Sequence, residues 1–215
     1  RADTVSEAME RMKADGIRFL TVQPVFVLNG AEYGKVCQDI RETSASFAEV
    51  RIGEPLLSGQ ADEEKLISIL KEEWKDIPSD IAFVLMGHGT SQAENAVYES
   101  LDRDLKKSGF TNAFVGIRGS REEADRLITE ILKAGYRKAV TAPLMIVAGK
   151  HAACDMSGPG PDSWKSKFQT AGIETECVMK GLGEYRGIRE IFTEHAVHAR
   201  VIGRIDLNTQ SGNTI

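Results

Sequence analysis

The chain has 215 residues, 41% of them hydrophobic and 27% charged, with a formal net charge of −5. No run reaches the ~18 apolar residues of a membrane span, and the acidic balance excludes a general nucleic-acid binder, which needs a basic face. The length suits one large domain or two small ones. The three scattered cysteines, Cys37, Cys154 and Cys177, form no CxxC pair and point to reduced thiols in the cytoplasm.

In chain order, strand-like runs near residues 17–25, 47–52, 80–86, 112–117, 138–147 and 173–179 alternate with helical periodicity. Val5, Ala8, Met9 and Met12 mark a first helix, and Tyr33, Val36, Cys37 and Ile40 form an apolar stripe that places Cys37 in the core. Leu66, Ile67, Leu70 and Trp74 mark another helix, after the acidic run Asp62-Glu63-Glu64, which reads as a solvated first turn suited to the helix dipole. Further helices show as Val97, Leu101 and Leu105; as Ala124, Leu127, Ile128 and Ile131; and as Ile188, Ile191, Phe192 and His195. Trp164 and Phe168, four apart, read as a helix-to-core contact. His195 reads as packed and His198 as solvated, Glu184 as the start of a helix, and the residues after Arg200 as a frayed polar tail. Apolar strands alternating with amphipathic helices predict an α/β fold with parallel sheets covered on both faces.

An internal repeat organises these elements. GIRFLTVQPVFVLNGAE (Gly16 to Glu32) aligns without a gap with GYRKAVTAPLMIVAGKH (Gly135 to His151), at an offset of 119 residues. Gly16, Arg18, Pro24 and Gly30 meet Gly135, Arg137, Pro143 and Gly149, and Glu32 meets His151. The pattern predicts a duplicated half-molecule with a site where related loops face each other. Asp76-Ile-Pro-Ser-Asp80 is the expected boundary. It divides the chain into an amino-terminal half over 1–77 with two strands, a carboxyl-terminal half with the final helix over 78–198, and a polar tail over 199–215. A βαβ-sized stretch precedes Gly135 in the second half, whereas only 15 residues precede Gly16. By that symmetry roughly 40 residues or more, holding the first strands, are expected to be missing from the first half.

Three polar residues stand where a parallel sheet presents its ligand edge. VLMGHGT (Val84 to Thr90) is a buried strand running into a turn, with His88 between two glycines. VAGKHAACDM (Val147 to Met156) repeats the arrangement with His151, and Glu32 is its counterpart in the first half. Each is weak evidence alone, since a histidine there also caps helices. Together, two imidazoles and a carboxylate suit a borderline divalent ion such as cobalt, nickel, iron or zinc. No GxxxxGK[ST] phosphate loop is present, so no nucleotide is expected.

These motifs carry a family resemblance. QPVFVLNGAEYGKV, GEPLLS, VLMGHGT with Ala96 and Tyr98 downstream, PLMIVAGKHAACDM, DSWKSKF and GLGEYRGIREIFTEH resemble the anaerobic sirohydrochlorin cobaltochelatases, class II tetrapyrrole chelatases of cobalamin synthesis, from about residue 3 to 198. The resemblance implies two Rossmann-like halves, each with a parallel four-stranded sheet, the first half being incomplete here. It implies ATP-independent insertion of Co²⁺ into sirohydrochlorin, with Fe²⁺ or Ni²⁺ as alternative metals, and leaves a homo-oligomer open. On this reading His88 and His151 bind and deliver the metal, and Glu32 balances charge or relays protons. Lys150 and Arg118 are candidates for the substrate carboxylates. Arg118 stands where relatives usually place an acidic residue, Arg121 where proline is common, and Lys150 where aspartate is frequent. A non-catalytic tetrapyrrole or metal carrier using the same histidines is the reading from another class, and a histidine-based hydrolase lacks a convincing nucleophile.

Overall fold

The computed structural model describes residues 2–89, 92–119 and 121–204. It divides into two units, one made of the chain up to Ser58 together with the residues from Glu190 onward, the other spanning Gly59–Arg189.

The first unit opens with α1 (Val5–Ala14), started by a capping box in which Thr4 Oγ1 accepts from the Glu7 N–H and Glu7 Oε2 accepts from the Thr4 N–H. Those bonds hold the Glu7 carboxyl below its ordinary pKa. β1 (Phe19–Val22), α2 (Ala31–Thr43) and β2 (Glu49–Ile52) follow, with β1 and β2 parallel from Phe19↔Glu49 to Val22↔Ile52. The expected stripe on α2 is buried: Tyr33, Cys37 and Ile40 pack with Met9, Phe47, Val50 and Ile52.

The sheet of this unit departs from the two parallel strands expected for it. Among the described residues it has three, in the order β1-β2-β7, and β7 (Arg200–Arg204) runs antiparallel along β2. These residues had read as the start of a frayed tail. Two contacts explain the difference: Ile202 packs against the core, and the ladder gives the free edge of β2 a backbone partner whatever side chains the strand carries. Residues 205–215 of the expected tail lie outside the described residues.

The second unit contains α3 (Gln60–Glu73), β3 (Ala82–Gly87), α4 (Gln92–Lys107), β4 (Ala113–Ile117), α5 (Arg121–Lys133), β5 (Lys138–Leu144), α6 (Trp164–Thr170) and β6 (Glu174–Cys177). Its four strands are all parallel, in the order β4-β3-β5-β6. β3 lies inside the sheet and every one of its residues is buried, as a continuously apolar run requires. Val84, Met86 and Phe114 from the strands meet Leu127, Ile131, Trp164 and Phe168 from the helices in one core. Four of the six sequence-predicted strands supply β3 to β6 of this α/β unit, and the other two supply β1 and β2 of the first unit.

The division between units falls at Ser58/Gly59, so the stretch Asp76–Asp80 lies inside the second unit. α3 belongs there because Leu66 and Leu70 are fully buried and Trp74, at its carboxyl end, packs on Phe83 of β3 with ring centroids 4.7 Å apart. α7 (Arg186–Val197) crosses the other boundary. The acidic run at the start of α3 is also less solvated than its composition predicts. Asp62 is buried, and burial together with the nearby Asp104 carboxylate raises the pKa of Glu63. No helix among the described residues is long and apolar enough to cross a membrane.

Candidate metal centre

Adjacent strands bring the candidate residues of the second unit to one edge. His88 follows β3, Arg118 follows β4, and His151 follows β5 by way of the loop Met145–Gly149. In a parallel sheet all three positions lie at carboxyl ends, the edge at which such sheets bind ligands. The Arg118 N–H donates to the Gly87 carbonyl at 3.0 Å, which continues the β3–β4 ladder to the site itself.

Glycine is needed on both sides of His88. A Cβ on Gly87 would come within 2.6 Å of the Tyr98 ring, and Gly89 adopts φ +77°, where a Cβ would also meet Ile117 Cγ2 at 2.3 Å. The turn therefore projects His88 from a backbone that tolerates no neighbouring side chain. Thr90, the last residue of the motif, lies outside the described residues. His151 begins differently, in a short helical turn after Gly149 that is π-wound over Ala152–Met156. That turn puts Asp155 beside His151.

The two imidazoles lie side by side, with ring centroids 5.1 Å apart and planes inclined at 74°. Their protonation follows from their partners. His88 Nδ1 lies 3.0 Å from the Gly89 carbonyl, which can only accept, and His88 Nε2 lies 3.2 Å from Arg118 Nη2, which can only donate. His88 therefore carries its proton on Nδ1 and offers a bare Nε2. His151 Nδ1 donates to Asp155 Oδ2 at 3.1 Å, which leaves Nε2 bare in the neutral ring. The same Asp155 oxygen accepts from Arg118 Nη1 at 3.1 Å. Four side chains thus form one chain of bonds, from His88 through Arg118 and Asp155 to His151. A carboxylate on the far nitrogen is the usual orienting partner of a metal-binding histidine.

Among the described residues, no three His, Cys, Asp or Glu side chains converge into a group that could hold a metal. The histidine pair is supplemented by a guanidinium. Glu32, expected as the third ligand, belongs to the first unit, where it is exposed in the opening turn of α2, two residues after Gly30. Lys150 is exposed beside His151 and forms no ion pair among the described residues. Of Arg121 only the backbone, at the start of α5, is described. Asp155 was not singled out from the sequence. Its signal there was the spacing of His151 and Asp155, four apart, which is legible only if the segment is taken as a helical turn.

An open depression of about 460 Å³ lies beside His88, lined also by Asn95, Ile117, Arg118 and Glu123. A larger cavity of about 830 Å³ lies between α3 and α4, lined by Gln60, Glu63, Lys71, Asp104 and Lys107. No imidazole lines it.

The profile of the cobalt chelatase (CbiK) family matches residues 1–201. The chain belongs to the cobalt chelatase family. Among its relatives, the sirohydrochlorin cobaltochelatase of Salmonella typhimurium (strain LT2) is 34% identical over 193 residues, which cover 90% of this chain and 73% of the relative. The sirohydrochlorin cobaltochelatase CbiKC of Nitratidesulfovibrio vulgaris (strain Hildenborough) is 30% identical over 205 residues, 93% of this chain and 71% of the relative. In fold, the chain is similar to SirB from Bacillus subtilis with Fe³⁺, with a TM-score of 0.67 at 14% identity, covering 99% of this chain and 81% of that one. This member of the family presents its two imidazoles from the ends of the neighbouring strands β3 and β5.

Proposed function

We propose that the protein is a sirohydrochlorin cobaltochelatase, inserting Co²⁺ into sirohydrochlorin without a nucleotide, with the metal and the tetrapyrrole both as substrates. Family membership supports the reaction class, and the named activity of the two curated relatives supports the substrates. The observation that carries the assignment to residues is the pairing of His88 and His151, each with its Nδ1 engaged by an oxygen so that Nε2 is the nitrogen it can give to a metal.

Insertion exchanges two pyrrole N–H protons of the macrocycle for one divalent ion. Neutral imidazole suits both halves of that exchange, because it ligates when unprotonated and accepts a proton at a pKa of ~6.5. In this reading His88 and His151 hold the ion by Nε2, at a ring spacing that lets two imidazoles share one ion, and either ring takes a pyrrole proton once the ion has left it. Asp155 keeps the His151 ring oriented. Glu32 is kept in the proposal as the acidic partner of the metal, and Lys150 and Arg118 as cations that meet the carboxylates of the macrocycle. Fe²⁺ and Ni²⁺ use the same ligand chemistry, so the order of metals is a matter for measurement.

The test is anaerobic absorbance spectroscopy of sirohydrochlorin with Co²⁺ and protein. Wild-type protein should accelerate formation of the cobalt complex, and His88→Ala and His151→Ala should each lower the rate at least ~100-fold with the fold intact by circular dichroism. Undiminished turnover in either variant would remove that histidine from the mechanism. Binding of the macrocycle with no rate above the protein-free control would favour a carrier.

A further inference from the structure

The proposed metal seat already holds a cation. Arg118 Nη2 sits on the His88 Nε2 lone pair at 3.2 Å, and Nη1 sits on Asp155 at 3.1 Å. One guanidinium thus covers the nitrogen that His88 would give to a metal and engages the carboxylate that orients His151. A divalent ion approaching His88 meets both an occupied lone pair and a fixed positive charge.

The arrangement is also incomplete. Arg118 is largely buried, with 23% of its side chain exposed, and its Nε–H has no acceptor among the described residues. A guanidinium with an unmet donor gains by moving to a partner that can accept from it more fully. The partner chemistry is that of a carboxylate able to take two parallel N–H bonds, and the proposed macrocycle carries several.

We propose that Arg118 is a displaceable plug on the metal seat. In the protein without macrocycle it closes His88 to metal, and a carboxylate of the arriving macrocycle draws it away, so that the metal is admitted second. This rests on the reading of His88 and His151 as metal-holding residues. It makes Arg118 the residue that sets the order of binding.

The test measures Co²⁺ alone by isothermal titration calorimetry with the full chain, on wild-type protein, Arg118→Gln and Arg118→Met. Arg118→Met keeps an unbranched side chain without donors and serves if Arg118→Gln does not fold. Both variants should bind Co²⁺ on the order of tenfold more tightly than wild type, and His88→Ala added to either should abolish the gain. Equal affinity in wild type and variants, lost on His88→Ala, would overturn the plug and leave the histidine assignment standing. Weaker binding in the variants would also overturn it, since Arg118 would then support the metal. Absence of histidine-dependent Co²⁺ binding in every protein would overturn both.

Discussion

At the scale of single residues, environment decides what a titratable side chain does. Glu63 and Asp104 are both carboxylates beside one cavity, yet their pKa values move apart. Burial and the neighbouring Asp104 raise Glu63, whereas a hydrogen bond and charge from Lys107 lower Asp104. A raised value means that the folded protein favours the protonated form of Glu63. Stability from this group is therefore complete below the ordinary 4.5 and is lost as pH rises through the higher folded value. Glu63→Gln should stabilise the protein at pH 7 by about 0.5 kcal/mol, a small gain because the side chain is only partly buried and solvent screens it, and should have no effect well below pH 4.5. Thermal melts of the two proteins across pH 4 to 8 check both the sign and the window. Asp155 carries the same lesson beside the histidine pair. Its identity could be read from the sequence, but its role depends on sharing one oxygen between His151 and Arg118.

At the scale of elements, the loop that delivers His151 is fixed from outside by another loop. The Leu182 N–H donates to the Met145 carbonyl at 2.8 Å, and the Gly183 N–H donates to the Ile146 carbonyl at 2.9 Å. Gly181 permits that approach. A Cβ there would lie 2.6 Å from the Ile146 carbonyl oxygen and 2.8 Å from the Ala148 nitrogen, both backbone atoms that cannot swing aside. Gly181→Ala should cost about 2 kcal/mol and should speed amide exchange across Met145–Gly149. An unchanged melting temperature and unchanged protection would show that the loops separate without penalty. The motif GLGEYR, prominent in the sequence, thus has a structural account. Its first glycine admits the neighbouring backbone, and Glu184 accepts from the Gly181 N–H at 2.8 Å. The expectation that Glu184 begins a helix agrees with its place in the short helical turn Leu182–Glu184 before α7.

At the scale of the whole molecule, the chain folds as two units, and the first takes its last strand from the far end of the sequence. Glu54 ties that strand, through Arg200, to residues from both ends of the chain. Its carboxylate accepts from Arg200 Nε at 2.8 Å and Tyr33 Oη at 3.3 Å, and its carbonyl accepts from Gln23 Nε2 at 2.9 Å and His195 Nδ1 at 3.1 Å. His195 was expected to be packed rather than ligating, and it is half-buried in this network. Ending the chain after Ala199 should remove roughly 3 kcal/mol from the first unit and expose the amides of Val50 and Ile52 to exchange, with the amides of β3 unaffected. Equal protection in both forms of the chain would show that β7 adds no stability. The sequence by itself determined the strands and helices, the parallel α/β class and the two histidines at strand ends. These follow from local hydrophobic period and from glycines that must flank a sharp turn. Only the tertiary structure decided that a polar terminus becomes an antiparallel edge strand, that the acidic start of α3 is partly buried, and that Arg118 and Asp155 join the two imidazoles. Each depends on groups far apart in sequence meeting across neighbouring strands and helices, and a local pattern does not record which distant partner satisfies a backbone edge, a carboxylate or a lone pair.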